Sequence, residues 1–247
     1  MIDSFGGRTD PKFREVFQPQ PAGRVETHHP HPYAPYFELV FLLEAVCDRP
    51  ERRFTMVELG AGYGAWTATA HLAATSIGRS DLRWVAVEMV PHHLDWLREH
   101  LATNGVDPAA TRIVEGAISS VDGDVTFDDQ GEDFGQSIAS GTQKVKSYRL
   151  ETLLADEAPI SLIHCDIQGA EAELFRDADG WIAENVERVL VSTHRRADHR
   201  EIKARLVDRG FDLVYDFGVR KRERTIYGDV QFLDGLLCAV NRRHLGR

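Results

Sequence analysis

The sequence predicts an open α/β fold built on a mostly parallel sheet, and three observations carry that expectation. Short apolar runs of strand length alternate with helix-length segments over the first two-thirds of the chain. A glycine-rich turn, Gly60-Ala61-Gly62-Tyr63-Gly64, follows the first run directly. The next run closes on an acid, Glu88.

The elements follow in order. Residues 1–34 are rich in Pro, Gly and His and show no period. Within His28-His29-Pro30-His31-Pro32-Tyr33-Ala34-Pro35-Tyr36, recurring proline excludes a helix or an inner strand. We read 1–34 as an N-terminal arm that folds over the mouth of a site as a lid, and 35–247 as one domain. Phe37, Val40, Phe41, Leu43 and Ala45 predict a core-packed helix over 36–47. Strands are expected at 54–59, 83–88 and 112–115, with helices at 63–76 and 91–104 between them. Pro91 suits a first helical turn and Gly105 a stop. Short strands at 125–127 and 144–147 flank a polar loop. Further strands are expected at 160–167, 186–193, 211–216 and 230–240, and a helix at 198–209. Polar residues 218–229 join the last two strands without a helix, so these should pair antiparallel, completing a seven-stranded sheet.

At 247 residues the chain suits one such domain, and 43% hydrophobic residues suffice for a large core. The net charge of −10 argues against a nucleic-acid binder, yet leaves room for a small anionic ligand held by local arginines. Arg195 and Arg196 are candidates for that role. Cys47, Cys165 and Cys238 lack metal-ligand spacing and read as reduced thiols, and apolar runs are too short to span a membrane. A cytoplasmic protein acting on a small molecule is the expectation, with assembly into a homo-oligomer compatible with it.

An open α/β sheet binds ligands beyond the carboxyl ends of its strands, where the strand order reverses. The glycine turn sits there, but Gly60, Gly62 and Ala65 also satisfy a dinucleotide pattern. Glu58, two residues earlier, suits the cationic amino end of S-adenosylmethionine better than a pyrophosphate. Glu88 can accept hydrogen bonds from both ribose hydroxyls, and Ala117 and Ile118 suit a flat adenine. With Gly60, Ala61, Gly62, Tyr63, Trp66, Met89 and Asp166 they form the expected cofactor cradle.

The fourth strand supplies candidate chemistry. Period-two alternation puts His164, Asp166 and Gln168 on one face, and the fifth strand ends in His194. Asp166 and His194 should project into one cleft, where His164 or His194 acts as general base. Alternatively, Asp166 and His194 hold a divalent metal.

Taken together, Val57–Gly64, Val87-Glu88 with Pro91, Ala117-Ile118-Ser119 with Asp122-Gly123, Tyr148–Leu154 and Asp166-Ile167-Gln168-Gly169-Ala170-Glu171 make the chain resemble the FkbM family of methyltransferases. The resemblance covers roughly residues 54–194. It implies a Rossmann-like class I methyltransferase fold, S-adenosylmethionine as methyl donor, and O-methylation of a hydroxyl on a metabolite, sugar or natural-product intermediate. His164 and Gln168 stand where the family commonly has lysine and glutamate; Asp166 and Glu171 match. N-methylation is the alternative within this class. A nicotinamide-dependent oxidoreductase is the alternative outside it, although no Tyr-x-x-x-Lys follows the fourth strand. A non-catalytic nucleoside-binding module would pair the polar groups of strands four and five only with each other.

Overall fold

The computed structural model describes residues 6–14, 34–127 and 141–244. Strands β1 (Phe54–Leu59), β2 (Leu82–Glu88) and β3 (Thr111–Glu115) form one half of a parallel sheet, with helices α1 (Ala34–Cys47), α2 (Ala65–Ser76) and α3 (Pro91–Thr103) against it. A small three-stranded sheet follows, made of β4 (Ala117–Ile118), β5 (Gly123–Phe127) and β6 (Gln143–Tyr148), then the short α4 (Leu150–Leu153). The second half contains β7 (Leu162–Cys165), α5 (Glu171–Asn185), β8 (Arg188–Thr193), α6 (Arg196–Asp208) and β9 (Phe211–Phe217). A hairpin, β10 (Lys221–Thr225) and β11 (Gly228–Phe232), precedes β12 (Gly235–Asn241).

The large sheet has seven strands in the order β3-β2-β1-β7-β8-β12-β9. All of its pairings are parallel except those of β12, which runs antiparallel to both β8 and β9. The order reverses between β1 and β7, which places the ligand-binding crevice outside their carboxyl ends. Alternation along the buried strands divides the core in two. Val57, Leu59, Val85 and Val87 pack with Phe175, Ile182, Ile202 and Leu206 of α5 and α6. Phe54, Met56, Trp84 and Ala86 pack with Phe41, Ala70, Ala74, Leu94 and Leu97 of α1, α2 and α3. Both faces of the parallel sheet are therefore covered, as its near-continuous apolar strands require.

Three expectations change. The fourth strand ends at Cys165, because Gln168 and Gly169 turn with φ of 55° and 104°. His164, Asp166 and Gln168 thus do not share a strand face. The segment 230–240 is two strands, not one: β11 belongs to the hairpin, and the chain turns at Leu233-Asp234 before β12 enters the sheet. Helix α5 was not anticipated. Of the arm, residues 6–14 dock on α3, where Asn104 Oδ1 accepts from Arg8 N at 2.7 Å and its Nδ2 donates to Arg8 O at 2.9 Å. Buried Phe13 lies against Tyr63, Trp96 and His100. Residues 1–5 and 15–33, and with them the expected lid, lie outside the described residues. No helix among the described residues is long and apolar enough to cross a membrane.

Candidate active site

The glycine turn is built by backbone bonds that join four strand ends, those of β1, β2, β3 and β7. Gly60 and Ala61 amides donate to Val87 O at 3.0 and 2.9 Å, Gly116 N donates to Glu88 O at 2.9 Å, and Asp166 N donates to Leu59 O at 3.0 Å. Gly60 has φ of 76°, and any Cβ there would collide with the Asp166 carbonyl. The turn is held against the end of β7 at a distance only glycine permits.

Beside it opens a cleft with about 690 Å³ of empty space, the open solvent at its mouth included. Gly60, Gly62, Glu88, Met89, Ala117, Ile118 and Asp166 of the expected cradle line it, and His93 joins them from α3. Among the described residues its lining contains two carboxylates and no lysine or arginine. Glu88 is buried; its Oε1 accepts from Met89 N and Val90 N at 2.9 and 2.8 Å, and its Oε2 from Gly62 N at 2.7 Å. A carboxylate has about four acceptor positions, so capacity for a ligand hydroxyl remains.

Glu58 is placed elsewhere. It lies on the Met56 side of β1 and is 1% exposed. Its carboxylate accepts from Trp66 N at 3.3 Å, Thr67 N at 3.0 Å and the Thr67 hydroxyl at 2.5 Å, which caps the amino end of α2. Burial pushes its pKa up, against the opposing pull of His164 and these donors. Ala61 and Tyr63 are buried in the turn, and Trp66 sits in the first turn of α2. None of these four residues lines the cleft.

The three candidate catalytic residues also separate. His164, opposite Glu58 in the β1–β7 register, is 2% exposed and shielded by Trp66, whose ring centroid is 5.5 Å away. Its Nε2 lies 3.7 Å from Glu38 Oε2 of α1, and among the described residues neither ring nitrogen has a hydrogen-bond partner. Burial opposes its charging, but Glu38, Glu58 and Asp166 outweigh burial and raise its pKa. Asp166 lines the cleft, and its Oδ1 accepts from Gln168 Nε2 at 2.9 Å.

His194 sits behind Asp166. Its Nε2 is 3.3 Å from Asp166 Oδ1 and its Nδ1 3.2 Å from Glu171 Oε1, the second an ionic contact without hydrogen-bond geometry. Asp166 and then Glu171 push its pKa up to about 10. It is therefore an imidazolium at neutral pH and has no free lone pair to act as a base. Asp166, His194 and Glu171 place one donor atom each within 4.8 Å of one another. A divalent cation there would have to displace the His194 proton. Glu171 is fully buried, its oxygens taken by Ile167 N and Gly169 N. Sequence reasoning did not give roles to His93, Glu38 or Glu171. Glu171 carried a visible signal, closing the Asp166-Ile167-Gln168-Gly169-Ala170-Glu171 segment that carries the family resemblance.

A seven-stranded sheet of this order, with its cleft at the point of reversal, defines an open α/β fold of the class I methyltransferase type. The structure is similar to the methyltransferase FkbM from Methylobacillus flagellatus KT at 13% identity, covering 80% of this chain and 47% of that one, with a TM-score of 0.50. It is similar also to cofactor-bound Rv0187 from MTB at 17% identity, covering 86% and 83%, with a TM-score of 0.50. These likenesses speak to fold alone. The chain belongs to the FkbM methyltransferase family, whose domain model matches residues 58–213. A protein of Jannaschia sp. (strain CCS1) with a provisional methyltransferase designation is 28% identical over 181 residues, 66% of this chain. The match spans 64% of that relative's length.

Proposed function

We propose that the protein binds S-adenosylmethionine in the Gly60–Asp166 cleft and transfers its methyl group to a hydroxyl of a small metabolite, sugar or natural-product intermediate. Family membership supports methyl transfer as the class of reaction. The observation that carries the choice of cofactor is the lining: among the described residues it has two carboxylates, small apolar residues and no lysine or arginine. A cationic sulfonium nucleoside suits such a lining, whereas a pyrophosphate would meet uncompensated negative charge. Bound there, S-adenosylmethionine supplies an activated methyl group. Glu88 would accept from a ribose hydroxyl at its remaining acceptor position, Ala117 and Ile118 would flank the adenine, and Gly60 and Gly62 would let the ligand approach the backbone closely.

Of the three candidate catalytic residues, only Asp166 reaches the cleft. Asp166 orients the acceptor hydroxyl and receives its proton, and His194 holds that carboxylate in place from behind. Positioning of the hydroxyl in line with the methyl group supplies much of the rate. The reaction runs without a divalent metal, so a chelator leaves turnover unchanged.

Calorimetry with S-adenosylmethionine and, separately, NAD tests the reading. Saturable binding of the former and none of the latter is expected, and Glu88→Ala should weaken it by about 1–3 kcal/mol. Binding of NAD alone would overturn the proposal.

A further inference from the structure

At the edge of the sheet, where α6 begins and β9 gives way to the hairpin, lies a second, open groove. Arg196, Arg200, Lys203 and Lys221 line it, against two carboxylates, Asp216 and Glu223. Both carboxylates are already engaged. Asp216 accepts from Lys203 Nζ at 2.5 Å and lies 2.9 Å from His199 Nε2; Glu223 pairs with Lys221 Nζ at 2.8 Å and accepts from Gly218 N. The arginines are not matched in this way. Arg196 donates from Nε to Val219 O at 3.2 Å and from Nη2 to Arg220 O at 3.3 Å, and Arg200 donates from Nε to Arg196 O at 3.2 Å. These partners are carbonyls, which fix each guanidinium in place and leave its charge uncompensated.

Among the described residues neither Arg196 nor Arg200 has a carboxylate within ion-pair distance, and exposed Arg220, whose carbonyl Arg196 holds, has none either. In a chain of net charge −10 this concentration of unmatched guanidinium is local and opposite in sign to the whole. Carbonyl anchoring pre-organises the fork of donors that recognises a multi-oxygen anion, so little side-chain freedom is lost on binding.

We propose that the Arg196–Arg200–Lys221 groove binds a phosphate group, either as free phosphate or as the monoester of a small molecule. The two guanidinium groups take its oxygens, while Lys221 stays paired with Glu223 at the groove's edge. The site stands apart from the Gly60–Asp166 cleft, and phosphate binding there requires no methyl donor. Its failure and the failure of the methyl-transfer reading are therefore separate results.

The test titrates inorganic phosphate, and in parallel glucose 1-phosphate, into the full chain in chloride buffer by calorimetry. An Arg196→Gln/Arg200→Gln double variant and the milder Arg200→Gln are run alongside, with S-adenosylmethionine affinity as a check on folding. Saturable binding by the wild type is expected, weakened at least about tenfold in the double variant. S-adenosylmethionine affinity should stay unchanged. Tighter binding of the sugar phosphate identifies a phosphorylated small molecule as the ligand, and equal binding identifies phosphate itself. Absence of saturable binding, equal affinity in wild type and double variant, or tighter binding of a single-stranded oligonucleotide than of either small probe would each overturn the proposal.

Discussion

Residues near the glycine turn differ in what a single methyl group would do. At Gly60 the φ of 76° and the collision with the Asp166 carbonyl act together. Gly169 has a φ of 104° but nothing within 4 Å of an added Cβ. Gly60→Ala should therefore lose about 3 kcal/mol or more and abolish cofactor binding. Gly169→Ala should lose only about 1–2 kcal/mol. Urea unfolding of the two variants compares them directly; equal losses would mean that the backbone approach is not what makes Gly60 necessary. His194 gives a pH-dependent test. Its folded pKa, pushed up to about 10 by Asp166 and Glu171, exceeds its unfolded value near 6.5. The stabilising contribution is thus fully present below about pH 6.5 and is lost as pH rises toward 10. In His194→Gln the alkaline decline in stability should flatten over this window. Direct NMR titration of the imidazole should find it protonated at neutral pH, and a midpoint near 6.5 would refute the pairing.

Elements are secured mainly at their ends. The carboxyl end of α1 relies on Arg79, which is 5% exposed and follows α2 in sequence. Its Nη1 donates to Val46 O and Asp48 O at 2.6 and 3.0 Å, and its Nη2 to Arg49 O and Arg52 O at 3.1 and 2.8 Å. These carbonyls belong to the end of a helix and the turn after it, where intrahelical partners run out. Arg79→Met keeps much of the apolar stem but leaves four carbonyls without their donor. A loss of about 2–4 kcal/mol in denaturant unfolding is expected; a loss below about 1 kcal/mol would show that water replaces the guanidinium freely. Helix α5 illustrates why some elements escaped sequence reading. Phe175, Ala178 and Ile182 fall at helical spacing on its buried face. Asp177, Asp179 and Gly180 interrupt that pattern with residues that favour turns, although Asp179 is in fact paired to Arg205 and Arg209.

At the scale of the molecule, what could be read in advance was whatever local pattern determines. The parallel strands are continuous apolar runs because both sheet faces are covered. The glycine turn declares itself because its backbone cannot carry side chains. Other features depended on partners distant in sequence. The outward end of β1 looked like a cofactor contact, yet Glu58 shares the face of Phe54 and Met56 and so meets α2. The separation of His164 from Asp166 follows from a turn at Gln168, a residue that does not ordinarily adopt positive φ. The split between β11 and β12 falls at Leu233-Asp234, inside a largely apolar run from Val230 to Val240 that reads as a single strand.

The place of β12 bears on the order in which the chain is assembled. It lies between β8 and β9 although both precede it in synthesis. The five strands from β3 to β8 can gather, and the crevice between β1 and β7 can take shape, while β9 still lacks a neighbour. During that interval β8 presents an unpaired edge through Val189, Leu190 and Val191, all wholly buried once the sheet is complete. A nascent chain halted after residue 217 would be left with that apolar edge open to pairing with another copy. β12 is thus also the strand that closes the edge by which unfinished chains could adhere to each other.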